Sequence, residues 1–212
     1  MGATREGEIN RVARLGQSLE DLVLKKVRPA GGFVIRTNRD DILIRYWSLI
    51  FDYSKGIVCL LHNKLDSSAF ALLRPTMETV VRAHLILIGS EEEVMRIRQD
   101  RYSVNYEKDG KRIDEAFFAG TLLFEKYLKT ARSLLHSLTH SGMAQLSRRI
   151  DGEGVGASFS EEEVAKLLGN SAAATFLITV RIATHYGFEQ ECQAAQRMWL
   201  DYGALNLSRR AG

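Results

Sequence analysis

Proline and cysteine are scarce in this chain, with two of each in 212 residues. So few prolines leave room for long uninterrupted helices, because proline removes a backbone donor and clashes with the preceding turn. The cysteines, Cys59 and Cys192, stand far apart, with no CxxC pair and no Cys/His cluster. That spacing argues against a disulfide scaffold and a structural zinc site. It fits a reducing interior in which each thiol acts as a small buried hydrophobe. The first ten residues are polar, carrying Arg5, Glu6 and Glu8, and lack the apolar run of a signal peptide. The apolar stretch from Val80 to Ile88 is interrupted by Arg82 and His84 and is too short to cross a bilayer. These absences predict a cytoplasmic protein without membrane contact.

Motifs that name a reaction are also missing. There is no phosphate loop, no strand-borne GxGxxG, no GxSxG elbow and no paired zinc ligands. Gly154-Val155-Gly156 has no strand before it. The charge excess is small, 29 Lys+Arg against 26 Asp+Glu for a net +3. The total therefore selects neither nucleic acid nor membrane, since the local patch matters more.

Apolar residues recur at three- and four-residue spacing almost throughout, without sustained strand alternation. The spacing predicts an N-terminal helix over 5–28 that buries Val12, Leu15, Leu19, Leu22 and Val23. Pro29 to Gly32 end it, and Phe33 to Thr37 are extended. Asn38 or Asp40 caps a second helix that runs through Leu61. Asp66 or Ser67 opens a third, ending at Gly89, with Pro75 marking either a kink or a restart. Ser90 before Glu91, Glu92 and Glu93 is a capping box that opens an exposed, charged helix.

Lys108-Asp109-Gly110-Lys111 reads as a polar turn, so that residues 38–107 form a first helical half and 112–204 a second. The helical pattern resumes at Ile113 and reaches about Ile150. Residues 151–159 read as a flexible loop, and Ser160 with Glu161, Glu162 and Glu163 caps a long apolar helix to Tyr186. Gly187 separates that helix from a last one through Trp199, and Leu205 to Gly212 read as a frayed tail. The sum is a single-domain all-α bundle of about six or seven helices.

Three polar stripes interrupt otherwise apolar helices at four-residue spacing. Arg74, Glu78 and Arg82 share one face, about 6 Å apart per step. They read either as a structural salt-bridge ladder or as an anion-binding site suited to Arg geometry. Arg132, His136 and His140, with the hydroxyls of Ser137, Thr139 and Ser141, form the second. Two His at this spacing lack the Glu of HExxH and a nearby third ligand, so no metal is expected. The cluster reads either as satisfied helical histidines or as acid–base groups beside a cation. Arg181 and His185, next to Tyr186, form the third, where a helix-end His complements the dipole. Should the three faces converge, they would form one basic pocket balanced by Glu78.

The first two stripes resemble a group of uncharacterised bacterial helical proteins. In that group an Arg-Pro-x-x-Glu helix is followed some sixty residues later by a helix ending Ser-x-x-His-Ser/Gly. The matching residues are Arg74, Pro75, Glu78 and Arg82, then Ser137, His140, Ser141 and Gly142. That group in turn resembles the HEPN superfamily, all-α dimers that include metal-independent ribonucleases of toxin–antitoxin and phage-defence systems. Their motif places four to six residues between Arg and His. Here Arg132 precedes His136 by three intervening residues and His140 by seven.

The resemblance implies a HEPN-like homodimer that acts on RNA. His140 would be the general acid or base, His136 its partner, and Arg132 or Arg74 the cation, with no cofactor or metal. The alternative is a non-catalytic helical dimer that binds a partner protein or a small anionic ligand.

Overall fold

The computed structural model of the protein describes residues 4–29, 34–120, 124, 125, 128, 150, 151, 154, 155 and 159–210. It is all-helical. Among these residues lie α1 (Arg5–Val27), α2 (Asn38–His62), α3 (Asp66–Ala71), α4 (Leu73–Ile88), α5 (Glu91–Arg98), α6 (Tyr106–Phe117), α7 (Glu161–Tyr186) and α8 (Glu189–Arg210). The only sheet among them is an antiparallel pairing of Ile150–Asp151 with Gly154–Val155, which straddles the start of the expected 151–159 loop and places a short strand before Gly154 where none was expected.

The helix boundaries follow from local chemistry. Thr37 caps α2, where Asn38 or Asp40 was expected, and Asp40 is its reciprocal partner. The Asp40 amide donates to Thr37 Oγ1 at 3.1 Å, and the Thr37 amide returns to the Asp40 carboxylate at 3.2 Å. The chain breaks at Leu72 between α3 and α4, so Pro75 marks a restart. As the third residue of α4 it lacks only an amide that no intrahelical carbonyl would have bonded. Ser90 and Ser160 each form the expected capping box, with Glu93 and Glu163, and Gly187 ends α7 in the left-handed region at φ 74°.

Three sequence expectations are corrected. Lys108 to Lys111 are not a turn or a boundary but the first half of α6, started by Asn105, whose side chain accepts the Lys108 amide at 3.0 Å. Asp109 and Gly110 are buried there. Asp109 accepts from the Tyr102 hydroxyl at 2.7 Å and the Asn105 amide at 2.8 Å, and these bonds compensate for its burial. The tail is not frayed from Leu205, because α8 continues to Arg210. The cysteines are not core residues: Cys59 is exposed and Cys192 half-buried.

Ion pairs and end contacts give the helix directions. Arg5, at the start of α1, meets Asp66, the first residue of α3 just past the end of α2, and Glu161 at the start of α7. Lys26, near the end of α1, meets Glu191 at the start of α8, and the Tyr202 hydroxyl returns to Glu8. Arg39 in the first turn of α2 donates to the carbonyls of Ile86 and Gly89 and to Glu91, closing the C-terminus of α4. Helices α1, α4 and α7 therefore run one way, with α2 and α8 antiparallel to them.

Helix α7 packs against α1, α2, α4 and α8. It is also long and apolar enough to cross a membrane by length and composition, at 26 residues, a possibility that the stretch ending at Ile88 did not raise; 56% of its most apolar window is buried within the fold.

Gly110 is where α6 meets the next segment, since a Cβ there would lie 2.8 Å from Glu125 Cα. Gly110→Ala should destabilise the protein by about 1–3 kcal/mol through forced displacement of that backbone. Gly16→Ala, in α1 with open space around it, should be neutral or stabilise by up to about 1 kcal/mol. Urea unfolding of the two variants checks the contrast.

Candidate functional site

The first predicted stripe divides. Arg74 Nε donates to Glu78 Oε1 at 2.8 Å, and the Tyr106 hydroxyl of α6 donates to the same oxygen at 2.9 Å. Burial, with Glu78 as its hydrogen-bond acceptor, pushes the Tyr106 phenol pKa up, so it stays a donor. Arg82 does not reach Glu78; its Nη1 lies 3.2 Å from Asp100 instead. Arg74 and Glu78 thus behave as a ladder that ties α4 to α6.

The third stripe also separates. His185 turns to α2 and donates from Nε2 to Asp40 at 2.7 Å, while Tyr186 donates to the Val34 carbonyl at 3.0 Å. Burial alone would raise the Asp40 carboxyl pKa, but hydrogen bonds from His185, the Arg36 amide and Thr37 hold it below the ordinary value. Arg181 faces elsewhere, so no single basic pocket joins these groups among the described residues. Arg132, His136 and His140 lie outside them.

What the fold does assemble is an apolar pocket of about 280 Å³ at the α4–α7 seam. Met77 and Val80 line it from α4, and Asn170, Ala173, Ala174 and Leu177 from α7, with Phe118 and Phe124 as a third wall. The two aromatic rings stack 6.2 Å apart. Asp114 fixes that wall, its buried carboxylate accepting the Phe124 and Glu125 amides at 2.9 and 2.8 Å. One turn past Val80 on the same face of α4 is His84, and one turn past Leu177 on α7 is Arg181.

His84 is fully buried. Its ring meets Phe117 edge-on at 5.5 Å and Phe124 at 5.6 Å. Nδ1 lies 2.8 Å from the Val80 carbonyl, which only accepts, so the proton sits on Nδ1. Nε2 is then a bare acceptor, buried without a partner among the described residues. Burial, joined by the Arg181 charge and opposed by the Val80 bond, pushes the imidazole pKa down to about 4. Such a group is a weak base at neutral pH, which favours binding over proton transfer. The Arg181 guanidinium carbon lies over the Phe117 ring, 4.0 Å from its centroid, and 5.2 Å from that of Phe118. Burial lowers its pKa, yet guanidinium keeps its charge.

Sequence reasoning treated His84 only as an interruption of an apolar run. Its spacing from Met77 and Val80 places it on the core face, which was the available signal. Tyr106 and the aromatic wall carried none, because their roles depend on where the segment after α6 returns. Among the described residues no group of three His, Cys, Asp or Glu side chains is arranged to hold a metal ion.

The fold and site define an all-α bundle with an apolar pocket flanked by a cation and a neutral imidazole. The chain belongs to the family of unknown function DUF6988, whose model matches residues 47–204. That span holds α4, α6 and α7, hence every wall of the pocket. No curated protein and no solved structure matches the chain.

His84 makes stability depend on pH with a definite sign. Its folded pKa is depressed from 6.5 to about 4, so the unfolded chain binds more protons between these values. Stability is present above about pH 6.5 and falls as pH drops toward 4, by about 2 kcal/mol between pH 7 and 4.5. His84→Leu should remove that part of the loss, measured by urea unfolding at the two pH values. For the ladder, Glu78→Ala should cost about 1–2 kcal/mol. Glu92→Ala, on the exposed face of α5, should stay within about 0.5 kcal/mol. Equal effects in thermal unfolding would show that Glu78 is merely solvated.

Proposed function

We propose that this protein is a non-catalytic helical module that takes a small molecule with an apolar body into the pocket between α4 and α7. The observation that carries the reading is the pocket itself, whose walls are apolar apart from Asn170. Ligand sites are typically concave and mostly apolar with a few polar groups, and a volume of about 280 Å³ suits a small guest. The low basicity of His84 supports binding rather than acid–base chemistry. The coupling of Glu78 to Arg74 and Tyr106 further supports a structural role for the Arg-Pro-x-x-Glu helix.

The HEPN-like ribonuclease reading, with its homodimer and defence role, rests on Arg132, His136 and His140. A single preparation separates the two readings. Wild-type protein should bind 1-octanol and gain thermal stability, and Ala173→Phe, which fills the pocket, should lose that response while remaining folded. RNA cleavage by the wild type, abolished by His140→Ala without loss of fold or oligomer, would put the ribonuclease in place of the binding module.

A further inference from the structure

Resting on the ligand-binding reading, we infer that the pocket selects carboxylates, taking an acid with a short apolar body and seating its head on Arg181. The argument starts from a contrast within the chain. Among the described residues seven arginines are half-buried: Arg5, Arg11, Arg39, Arg74, Arg82, Arg112 and Arg181. Six of them meet a carboxylate, namely Asp66, Glu8, Glu91, Glu78, Asp100 and Glu93 in that order. Arg181 meets none among the described residues. Its neighbours there are the rings of Phe117 and Phe118 and, within electrostatic reach, the Cys192 thiol, and its Nε is buried without a hydrogen-bond acceptor among them.

A ring contact satisfies none of the guanidinium's N–H donors, and their fork matches a planar carboxylate in two parallel hydrogen bonds. The position of Arg181 completes the case. It continues the α7 face formed by Asn170, Ala173, Ala174 and Leu177, and Phe118 belongs both to the pocket wall and to its ring stack. A ligand whose chain lies along Met77, Val80 and Leu177 would therefore bring its head to this cation. Burial makes a charged guanidinium costly here, so an arriving anion gains more than it would at an exposed arginine. The preference is for a charged head over a neutral one of the same length.

The test titrates the full-length protein with octanoate and with 1-octanol at pH 7.5, by calorimetry and thermal shift. Octanoate should bind at least about tenfold more tightly. Arg181→Met should bring octanoate down to the level of octanol and leave octanol unchanged. Equal affinities in the wild type, or a preference that survives Arg181→Met, would overturn the inference while leaving the apolar pocket standing. Binding of neither probe would sink the pocket reading and this inference together. If Arg181→Met does not fold, Arg181→Lys carries the test, because it keeps the charge and loses the planar fork. The octanoate preference should then fall several-fold, and an unchanged preference would overturn the seating of the carboxylate in the Arg181 fork.

Discussion

Helix α7 is enclosed by four neighbours, and the rest of the bundle is arranged around the demands of that position. A helix packed on several sides has little solvent to satisfy its polar groups, so every hydroxyl on it must find a partner inside. Thr175 and Thr179 turn back onto carbonyls of their own helix, at 2.9 Å to Ala172 and 2.7 Å to Thr175. Ser171 reaches Ser54 of α2 at 2.8 Å, a buried hydroxyl pair that ties these helices directly. Small residues between these positions let the surrounding helices approach closely. Where alanines 173 and 174 meet Met77 and Val80, the same smallness leaves the pocket.

Helix α4 shows how one short element serves three neighbours. Its Arg74–Glu78 edge bonds Tyr106 of α6, its Arg82 edge reaches Asp100, and its Met77–Val80–His84 edge faces the pocket and the aromatic cluster. The ladder sets the separation of α4 and α6, and Arg39 closes the C-terminal end of α4. Polar contacts thus hold the outer edges, while the inner edge is apolar except for the buried His84 imidazole.

Much of the fold was legible because its signals are local. Capping boxes at Ser90 and Ser160, the stop at Gly187 and the 3.6-residue periodicity are short-range devices that need no tertiary context. The errors share the opposite property. Lys108 to Lys111 has the composition of a turn, yet Asp109 is satisfied by Tyr102 and Asn105, and Gly110 is small because the backbone of Glu125 comes to rest on it. Composition cannot report a distant backbone. The arginine stripe was legible as a pattern, but its division into a pair and a separate Arg82 depends on where Asp100 lies. The pocket was illegible for the same reason, since its walls come from three separate parts of the chain.

That dependence on distant segments has a consequence for the chemistry at the seam. The wall formed by Phe118 and Phe124 is placed by Asp114, which holds the Phe124 and Glu125 amides, and by Gly110, against which Glu125 packs. The ring of Phe117, under Arg181, follows directly from the last turn of α6. The aromatic setting of Arg181, the burial of His84 and the shape of the pocket are therefore set together by how α6 ends and by where Phe124 and Glu125 rest against it. A change at Asp114, which touches neither the pocket nor Arg181 in sequence, would loosen the wall and admit water to His84. The dielectric around both groups would then rise and weaken any charge–charge attraction at the seam. The polarity of this site belongs to the packing of α4, α6 and α7 as a unit rather than to Arg181 or His84 alone.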